Sequence, residues 1–304
     1  MPRQLRARST GSNQSEDVPK FPSEDRMKKR PLQLINLVLS LLMLLLAQQV
    51  LAEDTKANKE FPGRDLYPEV PYMELDDFYQ KLKRNEVTVV DVRSEYEYDT
   101  LRIAGAINIP LASKTFASEM RKLRMAENKP IVVYCNGKTC MKSYKAARKC
   151  EIEKIDNVIA YDSGIMDFAK SFPKDALLLG KTLNDPKKLI SKDEFKKHLL
   201  TPDKFGERIA DTSDIVLDVR DRFQREGISI FVGREYRVSI DNTKRLDRYI
   251  DKAIKENKAL LIYDAAGKQV QWLQYYLEDK GLKSYYFMAG GISAYYKDMK
   301  AELK

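Results

Sequence analysis

Histidine is nearly missing from this chain: the one copy is His198, and the one tryptophan is Trp272. Three cysteines, Cys135, Cys140 and Cys150, complete the short supply of reactive side chains in 304 residues. A single His argues against a Ser-His-Asp triad or a Cys-His pair, and it rules out a metal site built on several histidines. His198 sits in a helical pattern from Phe195 to Leu200 and reads as a surface or core-edge residue. Three cysteines fall short of a four-cysteine zinc site. All three lie between 135 and 150, so they form no disulfide framework bracing a fold. No metal and no cofactor are expected. No run of Lys and Arg is interleaved with aromatic residues, so nothing suggests base stacking on a nucleic acid.

Long apolar runs are scarce as well. The one candidate, Leu32 to Ala47, is interrupted by Gln33, Asn36 and Ser40 and is short for a membrane span. Met27-Lys-Lys-Arg30 precedes it, and Val50-Leu-Ala52-Glu53 follows with short side chains at a cleavable site. This is the pattern of a secretory signal peptide cut near Ala52, with an uncleaved anchor as the alternative. Residues 1–26 read as an upstream extension, 27–52 as the signal and 53–69 as an N-terminal linker. The expected location is periplasmic or secreted, with no stable membrane insertion after cleavage. The net charge is +9. Residues 1–52 hold eight Lys/Arg and four Asp/Glu, a net +4, so +9 less +4 leaves +5 for the rest. That +5 is spread over mixed-sign segments and suits small anions better than nucleic acid.

The remaining chain repeats itself. Glu74 to Lys83 and Ser191 to Leu200 are amphipathic helical stretches. Each leads to a buried strand ending in Asp-Val-Arg, at Asp91 to Arg93 and at Asp218 to Arg220. Ile131 to Tyr134 then matches Ala259 to Tyr263, and each is followed by a loop and a helix, Ser143 to Lys149 and Val270 to Lys280. Asp91 precedes Cys135 by 44 residues and Asp218 precedes Asp264 by 46. The second unit is longer at its start and is read as holding an inserted loop around Thr201 to Ser213. Alternating strands and helices predict an α/β class with two parallel sheets flanked by helices, the sites lying at the C-terminal ends of the strands. The expected domains are 70–172 and 188–304, joined by a linker over 173–187. Because Asp91 and Arg93 recur as Asp218 and Arg220, they read as a structural network rather than as catalysts.

The chemistry concentrates at Cys135. A β-branched run ends there, a polar loop from Asn136 to Met141 follows, and a helix begins. Loop amides and a helix N-terminus both favour a thiolate, and Lys138 and Lys142 add positive charge. Cys140 is either a thiol that resolves Cys135 or a loop residue that packs inward. Cys150 is read as structural, and Trp272 as packing on a helix.

These residues resemble a tandem rhodanese-domain protein. Asp91-Val-Arg-Ser-Glu-Tyr-Glu97, Ile103-Ala-Gly-Ala-Ile-Asn-Ile-Pro110, Tyr134-Cys135 and Tyr161-Asp-Ser-Gly-Ile165 are similar to the family's motifs in order and spacing. The resemblance implies that Cys135 attacks thiosulfate or a similar donor and carries the sulfane sulfur as a persulfide to a thiol acceptor, a small molecule or a protein. It also implies a substrate-binding loop of Asn136, Gly137, Lys138, Thr139, Cys140, Met141 and Lys142. Where the family has a basic residue about five positions after the Cys, this chain has Cys140, giving a longer Cys-x4-Cys loop. In the second unit Asp264 takes the place of the nucleophile, which implies an inactive domain whose carboxylate sits in the anion site. Two other readings stay open, a thiol–disulfide redox protein using Cys135 and Cys140, and a non-catalytic binding module.

Overall fold

The computed structural model describes residues 60–302, apart from 212, 221–223 and 225–228. The leader expected over residues 1–52 lies outside the described residues. No helix among the described residues is long and apolar enough to cross a membrane.

The first half runs α1 (Pro62–Leu66), β1 (Tyr72–Met73), α2 (Leu75–Lys83), β2 (Thr88–Asp91), α3 (Glu95–Thr100), β3 (Leu101–Ile103), β4 (Ile107–Asn108), α4 (Phe116–Ala126), β5 (Ile131–Tyr134), α5 (Lys142–Ile152), β6 (Val158–Tyr161) and α6 (Gly164–Ser171). A connection follows with β7 (Ala176–Leu178) and β8 (Lys181–Thr182). The second half runs α7 (Lys192–Lys197), β9 (Leu199–Leu200), α8 (Pro202–Asp211), β10 (Ile215–Asp218), β11 (Glu235–Arg237), α9 (Thr243–Glu256), β12 (Leu260–Tyr263), α10 (Val270–Asp279), β13 (Tyr285–Met288) and α11 (Gly291–Glu302).

Two five-stranded parallel sheets result. The first has the order β1-β6-β5-β2-β4, and the second, read in the same sense, β9-β13-β12-β10-β11. Strand for strand these are one topology built twice, as the sequence repeat requires. The central strands are covered on both faces, which is why Ile131 to Tyr134 and Leu260 to Tyr263 are apolar without alternation. All eight of these residues are 0 % exposed. Burying each large aliphatic side chain among them contributes about 1.5–3 kcal/mol.

One feature differs from expectation. The stretch Thr201 to Ser213, expected as an inserted loop, is mostly the helix α8. Pro202 opens it at a position where its missing N–H costs nothing. Phe205 and Ile209, one turn apart, bury against the second sheet, which stabilises the helix. The connection after Phe172 is also structured. β7 and β8 pair antiparallel around Leu179 and Gly180, both with positive φ, and β7 pairs with β3.

The two halves meet along α3 and α10. Trp272 and Tyr275 on α10 belong to the apolar core of the first half, together with Phe78, Tyr134 and Tyr161. Tyr275 also accepts a hydrogen bond from the Ile190 backbone N–H at 3.0 Å.

Candidate active site

β5 delivers Cys135 to the C-terminal edge of the first sheet, and the loop 136–141 turns above it into α5. Neither Met141 at the start of α5 nor Gln269 at the start of α10 caps its helix with a side chain. The first-turn amides of both helices are therefore available to an anion.

In the second domain that anion is built in. The Asp264 carboxylate accepts hydrogen bonds from four backbone amides, those of Ala266 (3.0 Å), Gly267, Gln269 (2.7 Å) and Val270 (3.2 Å). Asp264 is 1 % exposed. A carboxylate at this place forms no persulfide, and it fills the cradle of backbone amides itself. Gly291 makes the arrangement possible. Its φ is +59°, and a Cβ there would lie 2.7 Å from the carboxylate and 2.6 Å from the Asp264 carbonyl oxygen.

The first domain uses the corresponding loop differently. The Cys135 thiol is wholly buried. It lies 3.2 Å from the Cys140 carbonyl oxygen and 3.7 Å from the Ser143 hydroxyl. Burial is the main cause pushing it well above the ordinary thiol range, with the neighbouring Cys140 adding to the rise. Cys140, one loop further on, is half-buried and lines a cavity of about 680 Å³. Cys135 is not among the residues lining that cavity. The Cys140 sulfur is lowered to about 6. The chief cause is the neighbouring Cys135 thiol. Backbone N–H groups of Lys142 and Asn136 and the Lys142 charge act in the same direction, against partial burial. Both cysteines are free thiols.

The rest of the expected loop is distributed as follows. Asn136 is half-buried and bridges two charged groups, accepting from Arg93 at 3.2 Å and donating to Glu97 at 2.8 Å. Gly137 and Lys138 line the cavity, as does the exposed Thr139. Lys138 is ion-paired with Glu60 and, at 3.2 Å, with Asp167. Lys142 pairs with Glu97 at 3.3 Å and still contributes to lowering Cys140. Met141 is half-buried at the helix start. The loop is held from behind by Gly164 (φ +67°), where a Cβ would come 2.4 Å from the Gly137 nitrogen.

Asp91 and Arg93 form the strand-end network expected of them. The buried Arg93 guanidinium donates to Asp91 (2.9 and 2.5 Å), to the Leu101 carbonyl (2.5 Å) and to Asn136. Arg220 and Asp218 repeat the pair at 2.8 Å. Cys150 is buried and pushed up to about 12 by that burial, as an inert core thiol would be. His198 is half-buried at the end of α7, where its ring stacks on Tyr285 and its Nδ1 lies 3.0 Å from the Tyr285 carbonyl oxygen. Among the described residues no group of three or more His, Cys, Asp or Glu side chains is placed to hold a metal ion.

Sequence reasoning did not identify the residues that form the far wall of the cavity. Trp272 and Tyr275 of the second domain face the loop, with Phe195 and the segment from Pro186 to Lys192 beside them. Trp272 is packed, as expected, but it also lines the cavity and lies under Arg93, 5.2 Å from the ring centre. Its buried indole N–H finds no acceptor among the described residues. Glu97 was also overlooked as a site residue. It closes a capping box with Ser94 and organises both Asn136 and Lys142. Its carboxyl is held below the usual range; burial opposes this, and the Lys142 charge and the Asn136 hydrogen bond outweigh it.

The family model described as Rhodanese-like domain matches residues 74–171 and again 201–298, together more than half of the chain. A protein named tRNA uridine(34) hydroxylase from Pelagibacter ubique is 27 % identical over 152 residues, 49 % of this chain and 50 % of that one. A protein of the same name from Oceanobacillus iheyensis is 39 % identical over 70 residues, 22 % of this chain and 21 % of that one. The chain thus spans half or less of the length of these curated relatives. A solved structure of thiosulfate sulfurtransferase from Pseudomonas aeruginosa is 17 % identical, covering 75 % of this chain and 42 % of that one with a TM-score of 0.35. With both halves matched by the same family model and folded to the same strand order, the chain belongs to the Rhodanese-like domain family and carries two such domains in tandem.

Proposed function

We propose that this chain is a sulfurtransferase of the rhodanese type. The first domain takes sulfane sulfur from thiosulfate or a similar small sulfur-containing anion, holds it as a cysteine persulfide in the loop 135–142, and passes it to a thiol acceptor. The observation that carries this reading is the buried Cys135 thiol at the strand end, 3.2 Å from the Cys140 carbonyl of a loop that lines a cavity of about 680 Å³, with a second thiol, Cys140, in that loop. Backbone N–H groups and the Lys142 cation stabilise a thiolate there, and the thiolate is the species that attacks a sulfane sulfur. No histidine is needed, because electrostatics rather than a general base supplies the nucleophile.

The second domain serves as a wall of the cavity, with Asp264 occupying its own anion cradle. A tRNA substrate, suggested by the names of the relatives, is not part of this reading. The chain after residue 52 carries only +5, dispersed among mixed-sign segments. We place the protein outside the cytoplasm, in a periplasm or secreted, on the strength of Met27-Lys-Lys-Arg30 and the apolar run before Ala52.

The test is formation of thiocyanate from thiosulfate and cyanide by the prereduced chain. The wild type turns over, and a variant carrying both Cys135→Ser and Cys140→Ser falls to the uncatalysed background. A double variant as active as the wild type refutes the reading.

A further inference from the structure

Resting on that reading, we propose that the space between the loop of the first domain and α10 of the second holds the sulfur acceptor, and that this acceptor is a small organic thiol with an apolar body and a carboxylate or similar anionic tail. The second domain, whose own cradle is filled by Asp264, thereby selects which thiol leaves with the sulfur.

The cavity is too large for the donor alone. Thiosulfate takes up roughly 150 Å³, at about 30 Å³ per water-sized atom. The cavity measures about 680 Å³, within the range of roughly 300–1,000 Å³ usual for sites that hold organic ligands. Its lining is also wrong for a small hydrated anion. The second domain and the connection supply Ile190, Phe195, Trp272 and Tyr275. Thiosulfate gains nothing from three rings and an aliphatic side chain, whereas an apolar body is stabilised in proportion to the area it removes from water. The charges set the other end of the ligand. Five charged residues line the cavity, Glu60, Lys138, Asp167, Lys170 and Lys192. Lys138 is ion-paired with both carboxylates, Glu60 and Asp167. That leaves Lys170 near the end of α6 and Lys192 at the start of α7, one from each domain. Both are exposed, and neither ammonium has an ion pair or a hydrogen bond among the described residues. An anionic tail therefore meets two cations without displacing a carboxylate of the protein.

The transfer balances. Thiosulfate has left its outer sulfur on the loop as a cysteine persulfide and departed as sulfite. The acceptor thiolate attacks the outer sulfur of that persulfide. A new S–S bond forms, the S–S bond to the cysteine breaks, and the cysteine leaves as a thiolate with the electron pair. The proton carried by the persulfide stays on the transferred sulfur, so the product is the acceptor's persulfide and the protein returns to its starting state. No outside oxidant or reductant enters.

The test uses the full chain, prereduced and loaded with thiosulfate until it carries an adduct of about 32 Da, one sulfur atom. Excess donor is removed and one of three thiols is added. The probes are 4-(mercaptomethyl)benzoate, with ring and carboxylate, benzyl mercaptan, with the ring alone, and mercaptoacetate, with the carboxylate alone. Loss of the adduct is followed by intact mass, and each rate is normalised to that of the same thiol with cysteine trisulfide in solution. The benzoate is expected to discharge the persulfide with saturation. At low concentration it should be about three- to five-fold faster than benzyl mercaptan and at least about ten-fold faster than mercaptoacetate. Replacing both lysines, Lys170→Gln with Lys192→Gln, should bring the benzoate down to the rate of benzyl mercaptan in the same variant, a ratio that does not depend on how fully the chain loads. A benzoate no faster than benzyl mercaptan, or an advantage that survives loss of both lysines, overturns the proposal. So do equal rates for all three thiols rising linearly with concentration, and in each of these cases the adduct itself leaves the sulfurtransferase reading standing. Absence of any adduct with thiosulfate overturns that reading and the proposal together.

Discussion

Titrating the reactivity of Cys140 probes the electrostatics of the loop directly. Its thiol is lowered to about 6, chiefly by the neighbouring Cys135 thiol, with the backbone amides of Lys142 and Asn136 and the Lys142 charge assisting. A group at 6 is roughly 90 % thiolate at pH 7, whereas a thiol at the ordinary value of about 8.5 is roughly 3 % thiolate, a gain of about 30-fold. The lowered basicity weakens each thiolate. With a Brønsted slope of about 0.4–0.5, a drop of about 2.5 units costs roughly 10- to 18-fold in intrinsic nucleophilicity. The two effects nearly cancel, leaving an alkylation rate at pH 7 only about two- to three-fold above that of an ordinary exposed thiol. Speed alone is therefore a poor readout, and the pH at which reactivity appears is a good one. Iodoacetamide labelling of the prereduced chain between pH 4.5 and 9, read by peptide mass, should show the Cys140 rate rising through a midpoint near 6 and then levelling. Cys135 should stay unlabelled over the same range, because it is buried and its thiol is raised. Removing the largest cause, with Cys135→Ala, should move the midpoint upward. Removing a smaller one, with Lys142→Met, should move it upward by less. A wild-type midpoint between 8 and 9, or faster labelling of Cys135 than of Cys140, would refute the reasoning.

Three further outcomes follow from the packing. Gly164→Ala places a Cβ against the Gly137 backbone and forces a side chain into a positive-φ position, so it should lower stability by about 1–3 kcal/mol in denaturant titration and abolish sulfur uptake. Asp264→Ala leaves four backbone amides without their carboxylate; a loss of about 1–3 kcal/mol is expected from the unmade bonds, while chemistry at the first domain persists in the folded fraction. Trp272→Ala opens the wall between the domains and should cost about 3–5 kcal/mol by thermal melting, with a rise in KM for thiosulfate larger than the fall in kcat.

The sequence carried the architecture because the fold is written twice. Two copies of a helix, a buried strand ending in Asp-Val-Arg, and a second buried strand leave little freedom in how the sheets assemble, and β2, β5, β10 and β12 lie where the apolar runs placed them. The helix α8 was missed because its evidence is a single opening proline and two apolar residues one turn apart, a weak signal within a polar stretch. The loop that matters most was legible as a loop but not in its orientation. Which sulfur faces the cavity depends on Arg93 gripping Asn136, on Gly164 pressing against Gly137, and on Ser143 receiving Cys135. Two of these three partners lie more than 25 residues away in the chain, and no local pattern announces them. The same holds for Lys138. It reads as a free cation from its neighbours in sequence, yet it pairs with Glu60 and Asp167. Trp272 reads as packing from its helix, and only the closure of the second domain against the first turns it into a cavity wall.

The claim at the centre of this account is that the loop of the first domain takes up sulfane sulfur as a covalent adduct of cysteine. The most direct measurement is sulfite release in a single turnover, with excess thiosulfate mixed with prereduced chain in the absence of any acceptor. The account predicts a burst of about one sulfite per chain, absent when both Cys135 and Cys140 are replaced by serine. A double variant that still gives the burst, or a wild type that releases no sulfite, would contradict it.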